Sequence, residues 1–293
     1  MTTTPSDRAW FSRMRENDGA LGFLSDFATL AGSSTTAGFS AANVQTWTGT
    51  GVGRVWRSAV HKGAALAESL LWDFGDATEL SWCCVAGPGS KGLRDAGIDP
   101  AVFTLKAGAS TDTTTTIGTL VYSPITGGWA LDFASASYRY WKLFIDRVGT
   151  NSGYVQLGRV ALDLATEFPT NFGEGFSEDV ENLSVVYETA DGGVIPRFRR
   201  PRSVLSLPFP HAGKDSGDLE VWNRFRGYAG EDASANAPEH PLYFSPDPSG
   251  VRAGTEGLMA PRFCWVRTVQ PFAGVGAAGR IFSGGLELVG VGR

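Results

Sequence analysis

The stretch Tyr138–Leu162 constrains this chain more than any other. It reads Tyr-Arg-Tyr-Trp-Lys-Leu-Phe-Ile-Asp, then a Gly/Asn/Ser turn, then Gly-Tyr-Val-Gln-Leu-Gly-Arg-Val-Ala-Leu. Period-2 alternation puts Trp141, Leu143 and Ile145 on one face of a strand and Tyr138, Tyr140, Lys142 and Phe144 on the other. The segment Arg147–Gly153 is rich in turn formers, so the two strands are expected to be sequential antiparallel neighbours.

The same pattern recurs upstream. Short strands are expected at Val44–Thr48, Arg54–Ala59, Ala67–Phe74, Leu80–Ala86, Val102–Lys106, Thr116–Tyr122 and Trp129–Phe133, separated by Gly/Ser/Pro clusters. Strands at this spacing make a sandwich or jelly roll. Composition agrees, since 38 glycines, 15 prolines and 12% aromatics in 293 residues suit a turn-rich β protein large enough for two domains. Before the strands, Asp7–Asn17 reads as a short helix with Trp10, Phe11 and Met14 as its apolar stripe, and Leu21–Leu30 as an arm that covers its own domain or, alternatively, binds a partner. Gly32–Ala42 reads as a linker or long loop.

Two further pieces join the opening stretch in carrying a resemblance. They are Val55-Trp-Arg-Ser58, and Leu70-Leu-Trp-Asp-Phe-Gly75 with Glu79-Leu-Ser-Trp82. Together with Arg-Tyr-Trp-Lys-Leu-Phe-Ile and Leu-Gly-Arg-Val, they resemble a discoidin-type, or coagulation-factor type C, galactose-binding-like β-sandwich over roughly Val44–Leu164. The version with Gly158-Arg159-Val160 is similar to domains carried by the tail-tip proteins of long-tailed bacteriophages. The resemblance implies a ligand at loops on one end of the sandwich, near Gly49–Arg54, Lys91–Arg94 and Asp146–Tyr154. Trp47, Arg54, Lys91 and Arg94 are the ligand-binding candidates it gives.

Asp163–Asn182 is acidic and turn-rich and reads as an interdomain connection. Beyond it, Leu183–Glu188 and Val194–Phe198 flank the hairpin signal Asp191-Gly-Gly193, followed by strands at Ser203–Phe209, Leu242–Ser245, Arg262–Thr268 and Arg280–Val291. One amphipathic helix is expected from Asp215 or Ser216 to Gly227 or Gly230, with Leu219, Trp222 and Phe225 on its apolar side. This module resembles the tail-tube-like fold of phage distal-tail rings. The expected organisation is an arm and linker (1–43), the discoidin-like sandwich (44–164), a connection (165–182) and a tail-tube-like module (183–293). The expected fold class is therefore all-β, a galactose-binding-like sandwich followed by a tail-tube-like β-sandwich with one α-helix.

Catalytic and cofactor chemistry find little support. Gly274-Val-Gly-Ala-Ala-Gly279 fits the dinucleotide-binding glycine spacing, but the required βαβ context is missing and a hairpin turn is the expected structure. The chain has three histidines, His61, His211 and His240, none at metal-ligand spacing or beside a nucleophile. Asp73, Asp76 and Glu79 are close in sequence, yet acids here more often end strands. Three cysteines, two of them the adjacent Cys83 and Cys84, make no disulfide framework and are expected as apolar fillers on opposite strand faces. No catalytic residue, metal or cofactor is expected.

A net charge of −5 argues against nucleic acid as partner. No apolar run is long enough to cross a membrane as a helix, and the polar opening with Arg8, Arg13 and Arg15 does not read as a signal peptide. Arg197, Arg199, Arg200 and Arg202 make a basic patch in an acidic chain. An oligomer interface facing the acidic Glu174–Glu181 of a neighbouring copy is one reading, a solvated strand face the other. The resemblance implies a structural, non-enzymatic protein of a phage tail tip, assembled in the host cytoplasm as a homo-oligomeric ring. Six copies are favoured and three possible, joining tube to hub, with a peripheral domain as the candidate for contact with host-surface glycans. The alternative is a carbohydrate-binding module of a bacterial enzyme or adhesin.

Overall fold

A computed structural model describes residues 8–17, 20–45, 55–59, 67–86, 101–123, 128–147, 154–168, 171–172, 176–182, 184–188, 191, 193–197, 202–213, 242–246, 261–275 and 281–290. The described residues are nearly all β. In chain order the strands begin with β1 (Trp10–Arg13), β2 (Arg15–Asn17), β3 (Ala20–Gly22), β4 (Thr29–Gly32), β5 (Trp56–Arg57) and β6 (Ala67–Ala86). They continue with β7 (Ala101–Gly108), β8 (Thr115–Thr119), β9 (Val121–Ser123), β10 (Gly128–Arg147), β11 (Gln156–Leu157), β12 (Arg159–Asp163) and β13 (Thr166–Glu167). The last are β14 (Ser177–Glu181), β15 (Val185–Glu188), β16 (Val194–Arg197), β17 (Arg202–Gly213), β18 (Leu242–Ser245), β19 (Arg262–Val275) and β20 (Ile281–Gly290).

The chain forms two compact units, one made of Met1–Asp7, Ser12–Ala165 and Pro246–Pro261, the other of Arg8–Phe11, Thr166–Ser245 and Arg262–Arg293. In the first unit the main sheet runs β12-β6-β10-β7-β8, with β4 also on β6 and β9 also on β10. Its axis is the antiparallel pair of long strands β6 and β10, from Trp129 opposite Val85 to Asp146 opposite Ala67. Each long strand had read as two shorter ones. Gly75, at φ +81, supplies the left-handed bend that breaks the alternation in β6. Register shifts between Asp132 and Ala136 and between Tyr138 and Tyr140 do the same in β10. The shift near Leu80 also changes which side chains enter the core, from Leu70, Trp72 and Leu80 to Cys83 and Val85.

Trp141, Leu143 and Ile145 are fully buried, while Tyr140, Lys142 and Phe144 are half-exposed, so the alternation holds. The pairing does not. β10 and β12 are not neighbours, because both pair with β6, which lies between them. The intervening β11 instead pairs with β5, Gln156 opposite Arg57 and Leu157 opposite Trp56. This small second layer and the 3-10 turn Ala41–Gln45 contribute Val44, Trp56, Val155 and Leu157 to the core that Phe103, Leu105 and the long strands close from the other side. Several expected elements change accordingly. Val44 sits in a 3-10 turn rather than a strand, the expected strand at Arg54–Ala59 shrinks to Trp56–Arg57, and the linker expected from Gly32 is preceded by β4, paired to β6.

Burial on both faces of β6 explains its cysteines. Cys83 enters the main core and Cys84 points the other way, where Trp82 meets Phe23 edge-on at 5.5 Å. Both thiols are free, and burial pushes that of Cys83 well above its ordinary range. The arginine of Gly158-Arg159-Val160 is buried beside them. It pairs with Asp26, donates to the Val44 carbonyl at 3.1 Å and stacks on Phe23. The motif is thus a structural tie between β12 and the turns around Phe23 and Val44. Asp26 is so deeply placed that burial holds its carboxyl above the ordinary 3.8 even against the charge of Arg159.

The second unit is a seven-stranded sheet, β13-β1-β18-β19-β20-β17-β14, with a separate β15–β16 hairpin at the expected Asp191-Gly-Gly turn. Its core gathers Phe11, Phe168, Leu205, Leu207, Phe209, Leu242, Phe244, Cys264 and Leu288. The expected N-terminal helix is strand here. Trp10 and Phe11 lie opposite Glu167 and Thr166, and the Phe168 amide donates to the Ala9 carbonyl at 3.0 Å. The expected connection 165–182 likewise contributes β13 and β14 to the sheet. Gly274 and Val275, the first two residues of the glycine fingerprint, end β19 in antiparallel pairing with β20, Val275 opposite Ile281; the rest of it lies outside the described residues. The helix expected at 215–230 lies outside the described residues.

The chain therefore leaves the second unit after β1 and returns to it at β13, an adjacent position. An insert with neighbouring ends is removable without stretching its host. Deleting residues 14–164 and joining the ends with a short Gly/Ser linker is expected to leave the second unit folded. A cooperative thermal transition and an intact β-sheet circular dichroism spectrum would show it. A chain without a transition would show that β1–β13 pairing depends on the insert.

Candidate functional site

In the small antiparallel pair of β5 and β11, where Arg57 lies opposite Gln156, the chain builds a half-buried polar and aromatic cluster around Arg57. Trp56, beside it, is fully buried and donates its indole N–H to the Ser34 carbonyl at 3.1 Å. Gly32 has to be small at this point, because a Cβ there would lie 2.9 Å from the Trp56 Nε1. Backbone bonds hold Arg57 on both sides, its amide to the Phe39 carbonyl at 3.3 Å and its carbonyl to the Thr36 amide at 2.8 Å. Ser58 continues the anchor, donating its amide to the Val155 carbonyl at 2.9 Å while its hydroxyl accepts from the Val155 amide at 2.8 Å. The buried Glu68 accepts from the Ser33 and Ser34 hydroxyls and fastens the neighbouring loop.

The Arg57 side chain is clamped. Its guanidinium carbon lies 4.0 Å from the ring centroid of Phe39 and 4.2 Å from that of Tyr154, within cation–π range of both rings. In-plane, its Nε and Nη2 both donate to Gln156 Oε1, at 3.1 and 2.7 Å. Two guanidinium donors on one amide atom require that atom to be oxygen, which turns the Gln156 amide nitrogen away. Among the described residues, Arg57 Nη1, Gln156 Nε2 and the Tyr154 hydroxyl have no hydrogen-bond partner, and all three side chains are half-buried. The cluster is thus a preorganised fork of donors packed on two aromatic rings.

The ligand candidates Trp47, Arg54, Lys91 and Arg94 lie outside the described residues, as do Arg199 and Arg200. Arg197 ends β16 opposite Val185, and Arg202 opens β17 opposite Glu181. Of the loops implied by the resemblance, Asp146–Tyr154 delivers one member of the cluster, Tyr154. Arg57 was in view within Val55–Ser58 but not singled out, and Phe39 sat in a stretch read as linker.

The acids raised as candidates do other work. Asp73 is half-exposed and receives Arg139 in a two-point pair, Nε to Oδ1 at 2.8 Å and Nη2 to Oδ2 at 2.9 Å. Hydrogen bonding from Arg139 and from the Gly75 amide holds its carboxyl down to about 2, so it is a carboxylate throughout the neutral range and no proton donor. Arg139→Ala is expected to return the Asp73 titration toward 3.8, read by carbon-detected NMR. The sign follows from the lowered value: stability from this pair is present above 3.8 and is lost as pH falls through about 2. A midpoint unchanged by the substitution would refute the pairing. Cys264, in the second core, has its thiol pushed up to about 12 by burial, which leaves it unreactive.

No protein-family profile matches the sequence, and no curated protein is similar to it. Solved structures similar to this chain include carbohydrate-binding modules of family 32, of the galactose-binding-like, discoidin-type fold, a chitosan-binding module and GH29 enzymes. A family 32 module from Clostridium perfringens, solved with GalNAc-β-1,3-galactose, is similar over 48% of this chain and 99% of that one, at 13% identity and TM-score 0.38. The family 32 module of NanJ from C. perfringens, solved with galactose, is similar over 48% of this chain and 96% of that one, at 13% identity and TM-score 0.37. Chitosan-binding module 1 of a Paenibacillus chitosanase/glucanase is similar over 48% of this chain and 97% of that one, at 20% identity and TM-score 0.34.

Proposed function

We propose that the first unit is a non-catalytic glycan-recognition module, acting as the carbohydrate-binding part of an enzyme or adhesin. One observation carries the reading, the Arg57–Gln156 donor fork held beside Phe39 and Tyr154 on the small β5–β11 pair. Sugars are bound by planar polar side chains aimed at ring substituents beside aromatic surface, and rigid fixing of those groups lowers the ordering cost of binding. The cluster has both features. A glycan array probed with the full chain tests the proposal. Retention on a defined set of glycans is expected, with Phe39→Ala and Tyr154→Ala each lowering it by about tenfold or more. An array with no retained glycan, or retention indifferent to both substitutions, would reject the reading.

A structural role is the second reading, for the second unit. The homo-oligomeric ring of a phage tail tip, expected from the resemblance, is favoured by β14, which ends the described sheet order and leaves Val180 70% exposed, with Phe176 and Tyr187 exposed nearby in sequence. Apolar side chains on and around a terminal strand suit strand-to-strand assembly. Light scattering on the full chain tests it, a closed oligomer supporting the ring and a monomer at all concentrations opposing it.

A further inference from the structure

We infer that the Arg57 site takes an anionic sugar, with a sugar carboxylate received end-on by the Arg57 fork; this deepens the glycan reading above and rests on it. The argument is one of donor and acceptor balance. A neutral sugar ring presents hydroxyls, each both donor and acceptor, and sites for such rings need carboxylate or carbonyl acceptors as well as donors. Among the described residues the open capacity here is Arg57 Nη1 and Gln156 Nε2, both donors only, and the Tyr154 hydroxyl, which can also accept. Gln156 Oε1, the strong side-chain acceptor of the cluster among the described residues, is already consumed by two guanidinium bonds. Glu68, the buried acid fastening the neighbouring loop, is occupied by the Ser33 and Ser34 hydroxyls. A ligand completing this site has to bring acceptors.

Charge points the same way. Arg57 makes no ion pair with a carboxylate among the described residues, and its two faces are covered by Phe39 and Tyr154. Covering the faces removes water from them and leaves only the in-plane edge for an incoming group. Gln156 occupies the Nε side of that edge, so the Nη1–Nη2 side is what a ligand meets. Two parallel N–H donors match the two oxygens of a carboxylate, the pairing in which guanidinium outperforms ammonium. The net charge of −5 over the chain does not oppose this, because at physiological salt fields decay within roughly 8 Å.

The experiment uses the full chain and matched probes. Oligogalacturonate, oligomannuronate and a glucuronate-terminated disaccharide are each titrated calorimetrically beside their methyl esters, which keep the shape and remove the charge. At least one acid is expected to bind about tenfold or more tightly than its ester. Arg57→Gln is expected to erase that difference and Arg57→Lys, which keeps the charge but not the fork, to reduce it. A sulfated galactoside serves as a further arm, expected to bind less well than the preferred uronate because its oxygens are not coplanar. Esters or neutral oligosaccharides binding as tightly as the acids in every matched pair would overturn the carboxylate inference and leave glycan recognition standing. No binding by any acidic or neutral sugar would overturn both. An acid preference unchanged in Arg57→Gln would overturn the assignment to Arg57, and stronger binding of the sulfated sugar would overturn the carboxylate as the recognised group.

Discussion

Replacing Trp141 by alanine is expected to cost the first unit about 3–5 kcal/mol, the range for truncating a buried aromatic side chain. Trp141 is fully buried at the centre of β10, between Trp72 on β6 and Ala107 on β7. Its ring meets Tyr138 edge-on and Phe133 at a tilt, both at 5.8 Å, and its indole N–H donates to the Tyr138 carbonyl at 2.9 Å. Alanine opens a cavity that flanking strands cannot close without breaking ladders on both sides, and it orphans that carbonyl. At about 2–4 °C per kcal/mol for a unit of this size, the thermal midpoint should fall by roughly 10 °C. Lys142→Ala, one residue on and half-exposed with its amine on the Thr111 carbonyl at 2.9 Å, should change it by less than about 1 kcal/mol. Similar midpoints for the two variants would mean that the inward face of β10 is misassigned.

Arg159→Ala should be comparably severe, by about 3–5 kcal/mol, for an electrostatic reason. Arg159 and Asp26 have side chains 7% and 8% exposed, so removing the guanidinium strands a carboxylate in an apolar setting. The pH dependence separates this from simple loss of packing. Asp26 already titrates above 3.8 in the native protein, because burial outweighs the lowering by Arg159. A raised acid binds protons more readily folded than unfolded, so its contribution is greatest at low pH and falls as pH rises from 3.8 through the folded value. Without Arg159 that value rises further, and the variant should recover part of its stability as pH is lowered toward 4. The double change Arg159→Met with Asp26→Leu should be far milder than Arg159→Ala alone. Chemical denaturation of the three proteins at several pH values measures both effects, and a pH-independent loss in Arg159→Ala would contradict the account.

What the sequence made legible was local. Alternation in β10 identified the face of Trp141, Leu143 and Ile145, adjacency put Cys83 and Cys84 on opposite sides, and Asp191-Gly-Gly marked a hairpin. Pairing was not legible where the partner is distant. Trp10, Phe11 and Met14 fit a helical stripe equally well, and what makes Trp10 and Phe11 strand is Glu167 and Thr166, on the far side of an inserted unit. In the same way β6 reaches in between β10 and β12, against the short Gly-rich connection that suggested a hairpin. The candidate site failed for this reason too. Arg57 becomes notable only when Phe39, Tyr154 and Gln156 arrive around it from separate parts of the chain. One loop implied by the resemblance ends at Tyr154, while its candidate residues Trp47, Arg54, Lys91 and Arg94 fall outside the described residues.

The most direct test of the central claim, that the Arg57 cluster is the sugar site, is NMR of the full chain labelled on arginine and glutamine side chains, titrated with a glycan retained on the array. The account expects the Arg57 Nε–Hε and Gln156 Nε2 resonances to shift in step with saturation, while the exposed Arg139 Nε–Hε, fixed on Asp73, stays in place. Saturable binding that leaves Arg57 and Gln156 unmoved, with shifts at Arg139 or in the second unit instead, would contradict it.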